Sequence, residues 1–117
     1  TQKILDKSIK VNPTAVRVPV LVGHAESIYI ETKKDINIDI AKEVLRNFNG
    51  IKLIDDTESI DFPTPFEHGH GTDDVYVGRI RKGLDKNNTL NLWVVADNVR
   101  KGAALNSIQI AEYLTRS

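Results

Sequence analysis

The sequence predicts an α+β domain, with a mostly antiparallel or mixed sheet and helices packed on one face. Three observations carry that expectation. Five short stretches are rich in β-branched residues or alternate at a period of two, two others switch to a helical period, and the link between the first two strands is too short for a crossover helix. The resulting order is β, β, α, β, β, β, α.

Taken along the chain, Pro13 in "VNPT" breaks any helix, and "AVRVPVLVG", residues 15–23, then reads as a strand that ought to be buried. Pro19 within it cannot donate to a ladder and belongs at an edge or a bulge. "SIYIETKK" alternates, with Ile28 and Ile30 on one face and Tyr29 and Glu31 on the other, and is expected to run antiparallel to its predecessor. In "INIDIAKEVLRNFNG" Ile40, Val44 and Phe48 recur at helical spacing, Ala41 and Leu45 widen the stripe, Asp39 can cap the helix or favour its first turn and Gly50 supplies a stop. "IKLID" is a short strand and "FPTPFEHGHGTDD" a loop. "VYVGRIRKG" and "LNLWVVADN" form a hairpin around the turn residues "DKNN". "KGAALNSIQIAEYL" closes the chain as a helix with Ala104, Ile108 and Ala111 on one face and Leu105 beside them.

With 117 residues the chain has room for one domain. Sixteen basic residues balance sixteen acidic ones, so no global field favours a nucleic acid or an anionic membrane as partner. No cysteine is present, which excludes a disulfide scaffold, a thiolate metal site and a cysteine nucleophile within these residues. The apolar runs reach about half of the ~20 residues that span a bilayer, so a soluble chain is expected. Thr1 stands where a methionine would begin a gene product, and Ile4 and Leu5 resemble the last turn of a helix; a piece of a longer protein is expected.

Four places could carry chemistry. His24, after Gly23, is an imidazole able to act as acid or base near neutrality. Arg17 lies seven residues earlier, and on an ideal strand such residues point to opposite faces, so the two share a site only if the chain bends between Pro19 and Gly23. Spacing alone favours a surface arginine and a turn histidine. His68 and His70 in "HGHG" have a spacing seen in metal ligands, with Glu67, Asp73 and Asp74 nearby, yet a polar loop is the better reading and no metal is assigned. Arg79 and Arg81, with Lys82 beside them, could grip an anion or simply form the wet side of a strand. Asp97 and Asn98 stand where a strand gives way to a helix start, as ligand contacts or as caps; no dinucleotide or phosphate-loop glycine pattern accompanies them.

The blocks "TQKIL", "VRVPVLVGHAES", "FPTP" followed by "DVYVGRIRK", and "NLWVVADNVRKGAALNSIQIAE" together resemble the C-terminal part of bacterial aspartate-semialdehyde dehydrogenase, in order and over nearly the whole chain. The resemblance implies the C-terminal domain of the glyceraldehyde-phosphate-dehydrogenase-like superfamily, with residues 1–117 a substrate-binding and dimerisation fragment. It places an N-terminal NADP-binding domain and the nucleophilic cysteine outside these residues. The implied reaction is NADPH-dependent reductive dephosphorylation of L-4-aspartyl phosphate to L-aspartate 4-semialdehyde, in the cytoplasm, toward lysine (through diaminopimelate), threonine, methionine and isoleucine. By the same resemblance His24 is the acid/base partner of the cysteine, Arg17 binds the substrate α-carboxylate, and Asn98 meets the nicotinamide end of NADP. The implied partners are a small-molecule substrate and further copies of the chain, as a homodimer or homotetramer; the fragment alone is expected to be inactive. A sister reductase of N-acetylglutamyl phosphate, or a non-catalytic dimerisation module anchored by Trp93 and Tyr76, are the competing expectations.

Overall fold

A strand with partners along both edges has all its backbone groups satisfied, and β4 (Thr89–Ala96) is such a strand. β1 (His24–Glu31) runs antiparallel along one edge, from His24 opposite Ala96 to Glu31 opposite Thr89. β3 (Val75–Lys82) runs antiparallel along the other, and β2 (Ile51–Leu53) adds to β3 in parallel, giving the order β1-β4-β3-β2. The computed structural model describes residues 1–56 and 61–116. Among these the architecture is the expected α+β one, with a mixed sheet of four strands.

The predicted strand over residues 15–23 does not form; that stretch is irregular and β1 begins only at His24. Pro19 has no N–H to offer a ladder, and the chain around it closes a tight turn in which Val20 N–H donates to the Val18 carbonyl at 2.9 Å. Its side chains are correspondingly exposed apart from the half-buried Val22, Leu21 fully so at 103 %. With that strand gone, the antiparallel neighbour of β1 is β4.

α1 (Ile38–Asn47) starts where Asn37 accepts hydrogen bonds from the amides of Asp39 and Ile40 at 2.8 and 3.1 Å, so Asn37 is the cap and Asp39 sits in the favourable first turn. It lies against β2 and β3. The face it buries is Ile38, Ala41 and Leu45, packed with Ile51, Leu53 and Val75 around the core residues Val77, Ile80 and Leu90. The expected leading stripe of Ile40, Val44 and Phe48 points outward, 60–62 % exposed. Apolar residues occupy more than one side of this helix, and the sheet covers only one.

The opposite face of the sheet is covered by residues 62–72. Trp93 donates its indole N–H to the Pro63 carbonyl at 2.8 Å, the His68 ring tilts against Tyr76 with centroids 5.3 Å apart, and Gly69 lies against the fully buried Val95. Gly78 makes the close approach possible, because a Cβ there would collide with the Ile54 carbonyl oxygen and stand 2.7 Å from Pro63.

β3 is bulged: Gly78 faces Trp93 but Arg81 faces Asn91, so one residue is extra, and Arg79 takes it up at φ +56°. The bulge turns Ile80 into the core, where its amide donates to Asp55 Oδ1 at 3.1 Å. The other oxygen of Asp55 pairs with Lys42 of α1 at 2.7 Å, and the carboxylate is only 6 % exposed. One side chain thus joins the segment after β2, the bulge and α1.

The C-terminal helix begins with a π-helical turn, Arg100–Ala104, and continues as α2 (Leu105–Thr115). Ile108, Ile110, Tyr113 and Leu114 along it are all exposed. Among the described residues no helix is long and apolar enough to cross a membrane.

Asp55→Ala strips the partner from Lys42 and from the Ile80 amide, at an expected cost of about 1–3 kcal/mol because both groups are largely withdrawn from water. Urea denaturation of the two proteins, compared at equal m-value, measures it.

Candidate functional site

The end of β4 and the start of β1 lie side by side, because the ladder sets His24 opposite Ala96. Immediately beyond them come Asp97 and Asn98 after β4 and Gly23 before β1. Asn98 Oδ1 accepts the Gly23 amide at 3.2 Å, so the residue preceding the histidine is tied to the turn that follows β4. Gly23 has φ +93°, a conformation that a side chain rarely tolerates, and the chain bends at Pro19, Leu21 and Val22 just before it, within the stretch 19–23 where a bend is expected.

Asp97 is 3 % exposed and all its work is directed at backbone amides. Oδ1 accepts from Val99 and Arg100 at 2.9 and 3.1 Å, capping the turn, and Oδ2 accepts from Gly71 at 2.9 Å. The Gly71 amide first, then those of Arg100 and Val99, hold its carboxyl below the usual carboxylate range against the opposing pull of burial, with the nearby charge of His70 adding to the lowering. Arg100 also reaches Asp73, its Nε donating at 2.6 Å, which closes the outer side of the same turn.

Of the residues singled out in the sequence, His24 and Asn98 are brought to one end of the sheet, both exposed. Arg17 lies in the irregular exposed segment upstream, and neither its guanidinium nor the His24 imidazole has a hydrogen bond or ion pair among the described residues. His68 is committed to the loop: its Nδ1 accepts the Thr64 amide at 3.2 Å while its ring packs on Tyr76. His70 is exposed, and no group of three acidic or imidazole side chains arranged to hold a metal occurs among the described residues. Arg79 and Arg81 are both exposed on either side of the buried Ile80, and both line an open cleft of 410 Å³ shared with Trp93, Phe62 and Ser27. The sequence offers the carboxylate at residue 97 as a ligand contact or a cap, and the structure uses it as a cap; its bond to Gly71 joins residues 26 apart, for which local pattern holds no signal.

A mixed four-stranded sheet with a histidine and a carboxamide converging at one end defines a two-helix α+β domain that presents polar groups at a strand terminus. Over residues 1–101 the chain matches the semialdehyde dehydrogenase dimerisation domain family. It belongs to that family, and it resembles the C-terminal part of aspartate-semialdehyde dehydrogenases. It is 54 % identical over 117 residues to the aspartate-semialdehyde dehydrogenase of Shewanella sp. (strain DB6705), covering 99 % of this chain and 34 % of the relative. It is 50 % identical to that of Aquifex aeolicus, with the same coverage. Among solved structures, aspartate semialdehyde dehydrogenase II from Vibrio cholerae, complexed with ASA, superposes with a TM-score of 0.91 at 50 % identity, over 99 % of this chain and 34 % of that one. The enzyme from Francisella tularensis gives 0.72 at 28 % identity, over 92 % and 32 %. The chain therefore spans about a third of the length of the curated relatives it matches.

The depressed Asp97 carboxyl makes a signed prediction. Its contribution to stability is fully present above the unfolded value of 3.8 and is lost as pH falls through the lower folded value. Below about pH 4 the parent should lose stability more steeply than an Asp97→Asn variant, as read by denaturant midpoints across pH 2–7.

Proposed function

We propose that residues 1–117 form the substrate-holding and dimerisation part of a longer aspartate-semialdehyde dehydrogenase, which reduces L-4-aspartyl phosphate to L-aspartate 4-semialdehyde with release of phosphate. The observation that carries the reading is His24 at the ordered end of β1, beside the Asn98 turn, in a chain half identical to an enzyme solved with ASA. Under this reading the reaction serves the lysine, threonine, methionine and isoleucine routes in the cytoplasm.

The chemistry follows from residue type and placement. An acyl phosphate is opened by a thiolate, and the cysteine that provides it belongs to the longer protein, since none occurs here. The exposed His24 imidazole is free to take the thiol proton and to return a proton to the oxygen that develops negative charge when the acyl group is reduced. Arg17 is permanently charged and its five N–H donors are unengaged, which suits a two-point grip on the substrate α-carboxylate. Its segment turns at Pro19 and takes a positive φ at Gly23, the stretch in which a bend toward His24 is needed for both to meet one substrate.

The reduced cofactor, NADPH, would supply the hydride when bound. The residue here that would meet its nicotinamide end is Asn98: Oδ1 is engaged by Gly23 while Nδ2 keeps its donors free among the described residues, which fits a carboxamide contact.

The same domain is proposed to join two subunits. Support comes from the family's description as a dimerisation domain and from the open cleft where Trp93 and Phe62 lie beside two arginines with no acidic partner among the described residues. Tyr76, by contrast, is occupied by His68 of its own chain.

In the full-length protein, His24→Asn is expected to lower kcat by about 10²–10⁴ with substrate KM little changed, the range for losing a positioned acid/base. Arg17→Ala is expected to raise KM for the acyl phosphate by about 10–100-fold, the equivalent of a lost charge-assisted pair. Steady-state kinetics that leave either parameter at the parent value sink the corresponding role. For the interface, sedimentation of the full-length protein should show a dimer or tetramer, and a double Arg79→Glu, Arg81→Glu change should weaken assembly by at least about tenfold; a monomeric parent removes the assembly proposal.

A further inference from the structure

We propose that Asp97 is a positioning residue for His24, acting through a closed ring of contacts that clamps Gly23 between the turn after β4 and the loop of residues 62–72; the inference rests on the reading of His24 as the acid/base group.

The ring is traced residue by residue. Asp97 Oδ1 holds the amides of Val99 and Arg100, which sets the turn carrying Asn98. Asn98 Oδ1 accepts the Gly23 amide at 3.2 Å, fixing one side of the residue before His24. Asp97 Oδ2 accepts the Gly71 amide at 2.9 Å, which draws the loop against the same strand end. From that loop Gly69 and Pro65 press on the other side of Gly23: a Cβ built there would stand 2.9 Å from the Gly69 carbonyl oxygen and 3.2 Å from Pro65 Cβ. The two oxygens of one buried carboxylate therefore secure both jaws that grip Gly23.

The arrangement matters because of what His24 lacks. Its imidazole has no hydrogen bond among the described residues, so its location is inherited from its backbone alone. Upstream of Gly23 the chain is irregular, and among the described residues the only ladder holding His24 is the pairing with Ala96 at the very end of β1, where strands fray. Proton transfer needs its donor within hydrogen-bond reach, and a misplacement of about 1 Å costs roughly a hundredfold in rate. A clamp on the preceding residue supplies the missing constraint. It also gives the "HGHG" loop a function other than metal binding: its two glycines provide the close approach at Gly69 and the donated amide at Gly71.

The test is a double-mutant cycle in the full-length enzyme. Asp97→Asn keeps an acceptor for the Val99 and Arg100 amides but turns an NH₂ toward Gly71, releasing the loop while preserving the turn. The expected result is a kcat lowered at least tenfold, KM for the acyl phosphate within about threefold, and no further loss when the change is added to His24→Asn, because groups that act as one unit are not additive. Gly23→Ala, which forces a Cβ against the Gly69 carbonyl at φ +93°, should behave alike and decides the matter if melting curves show that Asp97→Asn fails to fold. A parent-like kcat, or the same fold-loss in the presence and absence of His24, overturns the positioning role while leaving the enzymatic reading intact. Full turnover in His24→Asn alone overturns that reading and the positioning role with it.

Discussion

β4 is the constraint on which the rest depends. Its two edges are both occupied, by β1 and β3, and its residue Val95 is wholly buried. A strand held in this way cannot slide without breaking two ladders and reversing every side chain between faces. Its C-terminal end is therefore a fixed point, and the polar groups of the candidate site, Asp97, Asn98 and His24, are gathered there. Function-bearing residues at the end of a rigid strand, with a loop and a turn completing the surroundings, combine precision of placement with access from solvent.

How far the sequence disclosed this depends on the range over which each feature is decided. The hairpin of β3 and β4 was legible because "DKNN" and the alternating strands around it are local signals, and α1 because a helical period and a cap are local too. Which face of α1 is buried was not, since apolar residues lie on both sides and only the sheet's position chooses Ile38, Ala41 and Leu45 over Ile40, Val44 and Phe48. The strand over residues 15–23 failed for a related reason. Its composition suits a strand, but a strand needs an edge to pair with, and a missing N–H at Pro19 and the left-handed Gly23 defeat pairing. His24 and Asn98 stand out by residue type and position, but their roles come from the resemblance rather than from pattern. What joins them, through Gly23, crosses 75 residues of sequence and no spacing rule anticipates it.

The same logic explains the amount of apolar surface that remains. Leu21 and its neighbours, the outer stripe of α1, and Ile108, Ile110, Tyr113 and Leu114 of α2 are all exposed. Apolar area of that extent on a folded domain marks contact surfaces. It is what the proposed role asks for, since a part that spans about a third of its relatives' length would use those faces against the remainder of a longer chain and a second subunit.

Arg17 and His24 illustrate why one proposed site can be built from segments of such different order. A guanidinium attracts a carboxylate over several ångströms and from many directions, so it tolerates a mobile backbone; whatever ordering its segment lacks beforehand is charged against binding when the substrate arrives. Proton transfer has no such tolerance, because the donor and acceptor heavy atoms must already stand within about 3 Å of each other. The fold matches that asymmetry. The arginine lies on the irregular stretch upstream of Gly23, without a ladder, while the histidine begins at the first residue that pairs with β4. Gly23 is the boundary between the two regimes, and its amide is the last backbone group upstream of β1 that the turn after β4 holds. A chain that became rigid one residue later would leave the imidazole with the looseness that only the arginine can bear.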